Sequence, residues 1–190
     1  MRNLKIANMR SRLMIFLLAS LALVFASSAN AVRIVSAEEL AGKVGKDGDS
    51  ELWLSILGEV YDVSSGAKFY GEGGPYGIFA GRDGSVPFIT GTFTPEEALK
   101  GLDVLDSNQL NSLDNWRKSY EDNEKYPFVG LLEGRLYDKD GNPTEELTVA
   151  RVQIAEGKVV ADERKKKRDE VIAQRKKEKA EKEKAQAAEL

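Results

Sequence analysis

The sequence predicts an α+β domain framed by two ends that cannot join its core. Three observations carry this. Leu52, Leu54 and Ile56 alternate with Trp53, Ser55 and Leu57, the two-residue period of a strand. Helix-start signatures fall on both sides of that run, at Ser36, at Thr94 and at Asp106 or Ser107. Strand-like runs return late in the chain, so helices and strands are mixed without the regular order of βαβ units.

Val32 to Val35 reads as a brief strand, and Ser36 with Glu39 forms a capping box opening a helix through Leu40. Gly58-Glu59 separates the alternating run from Val60-Tyr61-Asp62-Val63, which predicts a hairpin. Thr94-Pro95-Glu96-Glu97 supplies a cap, a first-turn proline and a glutamate, predicting a helix to about Leu102. The next helix starts at Asp106 or Ser107, with Leu110, Leu113, Trp116 and Tyr120 sharing one face. Phe128 to Leu132 and Gly134 to Tyr137 read as late strands before the Asp140-Gly141-Asn142-Pro143 turn. Trp53 and Trp116 are expected in the core.

The ends differ from this middle. Arg2, Lys5, Arg10 and Arg12 precede the apolar run Leu13 to Ala26, and Ser27 to Ala31 reads SSANA. Residues 1–31 therefore read as a secretory signal peptide, with a signal anchor as the alternative. The expected location is secreted or in the lumen of the endoplasmic reticulum or endomembranes, and a membrane is involved only if this segment stays attached as a single-pass anchor. From Asp162 to Leu190 there are eleven Lys or Arg and eight Asp or Glu, with little that is large and apolar beyond Val171 and Ile172. The region 156–190 is expected to be a charged tail, helical or disordered. Its interleaved signs favour a solvated spacer, or a protein contact, over a nucleic-acid arm.

Residues 32–155 are left as the folded domain. Between 32 and 161, thirteen Lys or Arg stand against twenty-three Asp or Glu, an acidic surface that argues against nucleic acid as a partner. The chain has no cysteine and no histidine. That inventory excludes disulfides, zinc–thiolate sites, thioether-attached haem, histidine-ligated haem and the Ser-His-Asp and Cys-His catalytic sets. No enzyme is expected.

One segment is unusual. FYGEGGPYGIFAGRD, 69–83, places Tyr76 between Gly-Gly-Pro and Gly, a stiff turn bare of side chains on either side of the phenol. On physical grounds Tyr76 is a core aromatic, a surface hydrogen-bonding group, or an anionic oxygen ligand for a hard metal such as ferric iron. Phe69 and Phe79 read as walls of an apolar slot, and Arg82-Asp83 as a turn cap with an ion pair.

LGEVYDVSSG, KFYGEGGPYGIFAGRD, FITG, NWRKSYE and KYPFVGLLEGRLYDKDGNP together resemble the cytochrome b5-like haem- and steroid-binding domain of the membrane-associated progesterone receptor (MAPR) family. The resemblance implies non-covalent haem, of the haem b type, as cofactor. It puts Tyr76 at the iron-ligand position and Tyr70, Lys125 and Tyr126 along the cofactor pocket. A phenolate is a hard donor that favours ferric iron, a second phenol can steady it by hydrogen bonding, and an ammonium can meet a propionate. Set apart from the resemblance, Lys125 reads equally as a solvated charge. Some members carry a cysteine-bearing C-terminal extension where this chain has its Lys/Glu tail, so functions of that extension do not transfer. The expected function is haem-dependent carriage, signalling or regulation. The alternatives are a sterol-, steroid- or protein-binding module without haem, and electron transfer in the manner of cytochrome b5.

Overall fold

The computed structural model describes residues 32–46 and 51–188, with side chains through 181. The expected signal segment, 1–31, lies outside the described residues. The folded part is α+β. A four-stranded sheet has the order β1-β4-β3-β2, where β1 is Ile34–Val35, β2 Trp53–Ile56, β3 Glu59–Asp62 and β4 Phe128–Leu132. β1 runs parallel to β4 and the other pairs are antiparallel. The helices are α1 (Ala37–Gly42), α2 (Ala67–Tyr70), α3 (Pro87–Thr90), α4 (Pro95–Ala98), α5 (Ser107–Glu121) and α6 (Glu145–Ala188).

The alternation in β2 divides the core as expected. Leu54 and Ile56, with Tyr61 of β3, face the large cluster under α5, whereas Trp53 and Val60 join Val35 and Leu40 on the other face. Trp53 is buried, with the Arg33 guanidinium and Lys43 ammonium 5.0 and 5.1 Å from its ring centre. The hairpin turn is Leu57-Gly58, one residue earlier than expected. Both residues have positive φ, 51° and 75°, the twist that a two-residue connection between antiparallel strands requires. Leu57 accepts this conformation because its side chain is buried and its amide donates to Ser85 Oγ at 2.8 Å. Ser85 in turn donates to Asp83 Oδ1.

The caps at Ser36, Thr94 and Asp106 form as read, and Asp106 with Gln109 completes a reciprocal capping box. Two expectations need correction. The helix from Pro95 stops at Ala98 instead of reaching Leu102, and the carbonyls of Leu99 and Lys100 accept hydrogen bonds from Arg135. Gly134 to Tyr137 is a turn carrying isolated bridges, because Gly134 has φ 147° and Arg135 is drawn across to those carbonyls. The C-terminal helix begins at Glu145 and runs unbroken through positions 155 and 156. Its first turns lie within the expected domain, with Leu147 and Ala150 buried, and Gly157 just beyond is buried as well.

Gly157 shows how close α5 and α6 come. A Cβ built there would lie 1.9 Å from the Ser107 carbonyl oxygen at the start of α5. In an isolated helix Gly→Ala is stabilising by about 1 kcal/mol. Here Gly157→Ala is expected to destabilise instead, by about 1–3 kcal/mol, since the helix pair must spread; a urea melt gives the sign.

Arg117 ties α5 to the sheet. Its guanidinium meets Glu59 of β3 at 3.0 Å, Asp114 at 3.0 Å and Glu121 at 2.9 Å. Burial alone would push the Asp114 carboxyl up, but hydrogen bonds from Lys118 and Arg117, with their charges, outweigh it and hold it below its ordinary value. A carboxyl lowered in the folded state contributes stability that is complete above the unfolded value, near pH 4, and is lost as pH falls through the folded one. Asp114→Asn should therefore lower the melting temperature at pH 7 and flatten the acid limb of a stability–pH curve below about pH 4.

Candidate functional site

The glycine-rich segment is held by its own backbone and by the edge of β2. Gly81 donates to the Trp53 carbonyl at 2.7 Å, Ser55 to the Arg82 carbonyl at 3.0 Å and Gly84 to the Ser55 carbonyl at 2.8 Å. Gly-Arg-Asp-Gly thus covers a sheet edge that would otherwise present unpaired groups. Asp83 caps this turn by accepting from the Ser85 amide and hydroxyl, and burial raises its carboxyl above the ordinary value. The Arg82 guanidinium donates to the Ile78 carbonyl at 3.3 Å, and Asp83 turns to Ser85, so the cap was read correctly but the Arg82–Asp83 ion pair does not form.

Ahead of that edge, the Tyr76 amide donates to the Phe69 carbonyl at 2.9 Å. A Cβ on Gly74 would stand 2.4 Å from that same carbonyl oxygen, and one on Gly77 would stand 2.6 Å from the Gly71 oxygen. The two glycines are therefore steric requirements of the turn. Its product is a phenol 40% exposed on a backbone with little freedom.

The other expected residues fall unevenly around it. The Tyr70 ring lies 5.9 Å from that of Tyr76 and 5.8 Å, edge-on, from that of Tyr126, so these three phenols are brought together. Gly66 makes room for them: a Cβ there would lie 2.8 Å from the Tyr126 hydroxyl and 3.0 Å from the Tyr70 ring. Lys125 precedes Tyr126 on an exposed turn, fixed by its carbonyl, which accepts from Ser65 Oγ at 2.7 Å, and by its amide, which donates to Asn123. Phe79 is buried, but Phe69 is 40% exposed with the Lys68 ammonium over its ring, so only Phe79 acts as a wall.

Part of the site is built from residues that no motif marks. Phe79 stacks on Phe88 of α3 at 4.2 Å, Phe93 meets Phe79 edge-on at 5.3 Å, and Trp116 of α5 lies 5.6 Å from Phe88. Trp116 was expected in the core; it is 45% exposed, and Phe93 is 46% exposed. With Tyr76 they form the rim of an open aromatic face rather than core. Tyr120, read as a core position, is buried behind Tyr70 with the two hydroxyl oxygens 2.5 Å apart. Burial raises the Tyr70 hydroxyl to about 12, and burial with the Tyr70 bond raises that of Tyr120 further. Among the described residues no cluster of three or more acidic side chains is placed to hold a metal ion.

Fold and site together define a small α+β binding domain whose helices open an aromatic face beside the sheet. The sequence profile of the cytochrome b5-like heme/steroid binding domain matches residues 36–139, and the chain belongs to this family. It is 44% identical over 126 residues to neuferricin of Mus musculus, which covers 66% of this chain and 47% of that protein. It is 41% identical over 133 residues to membrane-associated progesterone-binding protein 4 of Arabidopsis thaliana, covering 70% of this chain and 54% of that one. The chain spans about half the length of these curated relatives. A solved Arabidopsis thaliana structure described as having a cytochrome b5 like fold is 32% identical, covering 56% of this chain and 95% of that one with a TM-score of 0.48.

Because Gly74 has no room for a methyl group, Gly74→Ala should break the Tyr76–Phe69 backbone bond and destabilise the domain by about 1–3 kcal/mol. Gly73→Ala is the control, since no atom lies within 4 Å of the added Cβ, although φ 75° there carries a backbone penalty of its own. The two melting temperatures, compared with wild type, separate the clash from the φ effect.

Proposed function

We propose that this chain is a non-covalent haem-binding protein in which the Tyr76 oxygen is the iron ligand. The observation that carries the reading is an exposed phenol on a sterically fixed turn, at the rim of an open aromatic face, in a chain without histidine or cysteine. These residues fit the group chemically. A flat macrocycle covers apolar rings, and Phe79, Phe88, Phe93 and Trp116 supply them. A phenolate is a hard anionic donor suited to ferric iron, the Tyr70 ring lies 5.9 Å away with its hydroxyl engaged by Tyr120, and Lys125 and Tyr126 are the groups for the propionates. Bound haem b would supply a ferric centre of low potential.

The protein is a binding module in this reading and not an enzyme, carrying haem or reporting its presence to a protein partner that meets the charged C-terminal helix. Among the described residues no helix is long and apolar enough to cross a membrane. Delivery to the secretory pathway rests on the N-terminal sequence. The second reading, a sterol- or steroid-binding module without haem, draws on the same exposed rings and on steroid-binding relatives such as membrane steroid-binding protein 2 of Oryza sativa, 35% identical over 112 residues. Electron transfer is weaker, since phenolate ligation holds iron ferric.

Haem titration of the purified chain should give a ferric Soret band that saturates at one equivalent. Tyr76→Phe should weaken binding roughly ten-fold or more, about 1.4 kcal/mol or above. No Soret band at stoichiometric haem, with saturable steroid binding instead, supports the second reading. The mass of the mature protein recovered from a secretory host locates its N-terminus and tests for cleavage near Ala31.

A further inference from the structure

Helix α6 carries three exposed valines that its packing on the domain does not explain. Val149, Val160 and Val171 are 51%, 39% and 51% exposed, although a β-branched residue on a solvated helix is unfavourable for both propensity and solvation. They stand eleven residues apart, three turns of a helix, so they fall close to one line. The domain packs on a different face, through Leu147, Ala150, Ile154 and Gly157, and leaves that line open. Each valine has neighbours on the same side four residues before and after it: Glu145 and Gln153, then Glu156 and Arg164, then Lys167 and Arg175. The line is therefore acidic ahead of Val160 and basic beyond it. Among the described residues, none of Glu145, Glu156, Arg164 and Arg175 forms an ion pair within its own chain.

We propose that this side of α6 is a contact surface for a second copy of the chain, the two helices lying antiparallel with Val160 on Val160 of the second copy. In that register Val149 faces Val171, Glu156 faces Arg164, Glu145 faces Arg175 and Gln153 faces Lys167, and every pair is made twice. A parallel pair would set Glu156 on Glu156 and Arg164 on Arg164, so charge selects the antiparallel one. The two ends of the line cannot meet within one chain, because α6 is unbroken from Glu145 to Ala188. Beside Val149 a groove whose lining includes Leu102 and Ala150 with the acids Asp103 and Glu145 is open to Val171 and Arg175 of the second copy. An anionic membrane is the poorer fit, since Glu145 and Glu156 lie on the same line. The contact is a few side chains per copy, which belongs to the weak and transient class, so the dilute chain is monomeric.

Sedimentation of the purified, haem-free chain from about 10 µM to about 1 mM should show a monomer–dimer equilibrium that weakens with salt. Glu156→Arg or Arg164→Glu alone should raise the dissociation constant about ten-fold or more, and the two together should restore it to within about three-fold. Register is read with single cysteines, since the chain has none of its own. Under a mild thiol oxidant Val160→Cys should link to itself. Val149→Cys and Val171→Cys should each stay monomeric alone and link when mixed, because in the antiparallel pair two copies of position 149 lie about 33 Å apart. Emission of buried Trp53 through a melt shows that each variant keeps the domain intact. A chain that stays monomeric up to about 1 mM overturns the proposal, with or without binding to anionic vesicles. So does self-linking of all three cysteine variants, which marks a parallel pair, or a double swap that fails to restore association. None of these outcomes depends on haem.

Discussion

The hydrogen bond from the Tyr76 amide to the Phe69 carbonyl is the constraint on which the cleft depends. It closes the turn that presents the phenol, and it exists only because Gly74 has no side chain to occupy the space beside that carbonyl. The rest of the segment is organised to keep this bond in place. Downstream, the backbone from Gly81 to Gly84 is pinned to the edge of β2, so the turn hangs between a short helix and the sheet and cannot drift. A side chain displayed in this way loses little conformational entropy on binding a ligand, which is the advantage of a rigid mount over a loop.

Helix α5 joins this mount to the body of the domain. One side carries Arg117, which gathers Glu59, Asp114 and Glu121 and so fixes the helix against β3. Another carries Tyr120 and Trp116 toward the cleft, and its N-terminal end accepts α6 at Gly157. Such partly buried ion pairs add little net stability when intact, yet losing one partner strands the others. Their value lies in register: they set which residues of α5 face the ligand side.

Much of the fold could be read from residues. The two-residue period of Leu52, Leu54 and Ile56 gave both faces of β2, and the caps at Ser36, Thr94 and Asp106 fell where oxygen-bearing side chains precede a helix. The bare turn marked Tyr76 as unusual but left core and surface both open, and the structure exposes it. Periodicity could not separate core from cleft along α5, because Leu110, Leu113, Trp116 and Tyr120 share a spacing while the helix passes from under the sheet to the open face. The strand expected at Gly134 failed for a long-range reason, the reach of Arg135 to carbonyls just beyond the end of a distant helix. Along α6 the pattern changes with distance from the domain: Leu147, Ala150, Ile154 and Gly157 are buried or half-buried, and the charge run beyond 162 is exposed.

Beyond Asp162, α6 continues with exposed side chains through Glu181, held by local contacts such as Gln174 to Glu178 at 3.1 Å. At about 1.5 Å per residue, the stretch from 162 to 188 projects about 40 Å past the packed turns. A single helix in water melts turn by turn from its free end, whereas a core opens all at once. Far-ultraviolet circular dichroism of this molecule will therefore decline gradually from low temperature, while the emission of buried Trp53 reports the sharp transition of the domain, and an unfolding enthalpy fitted to the first signal would describe the wrong object.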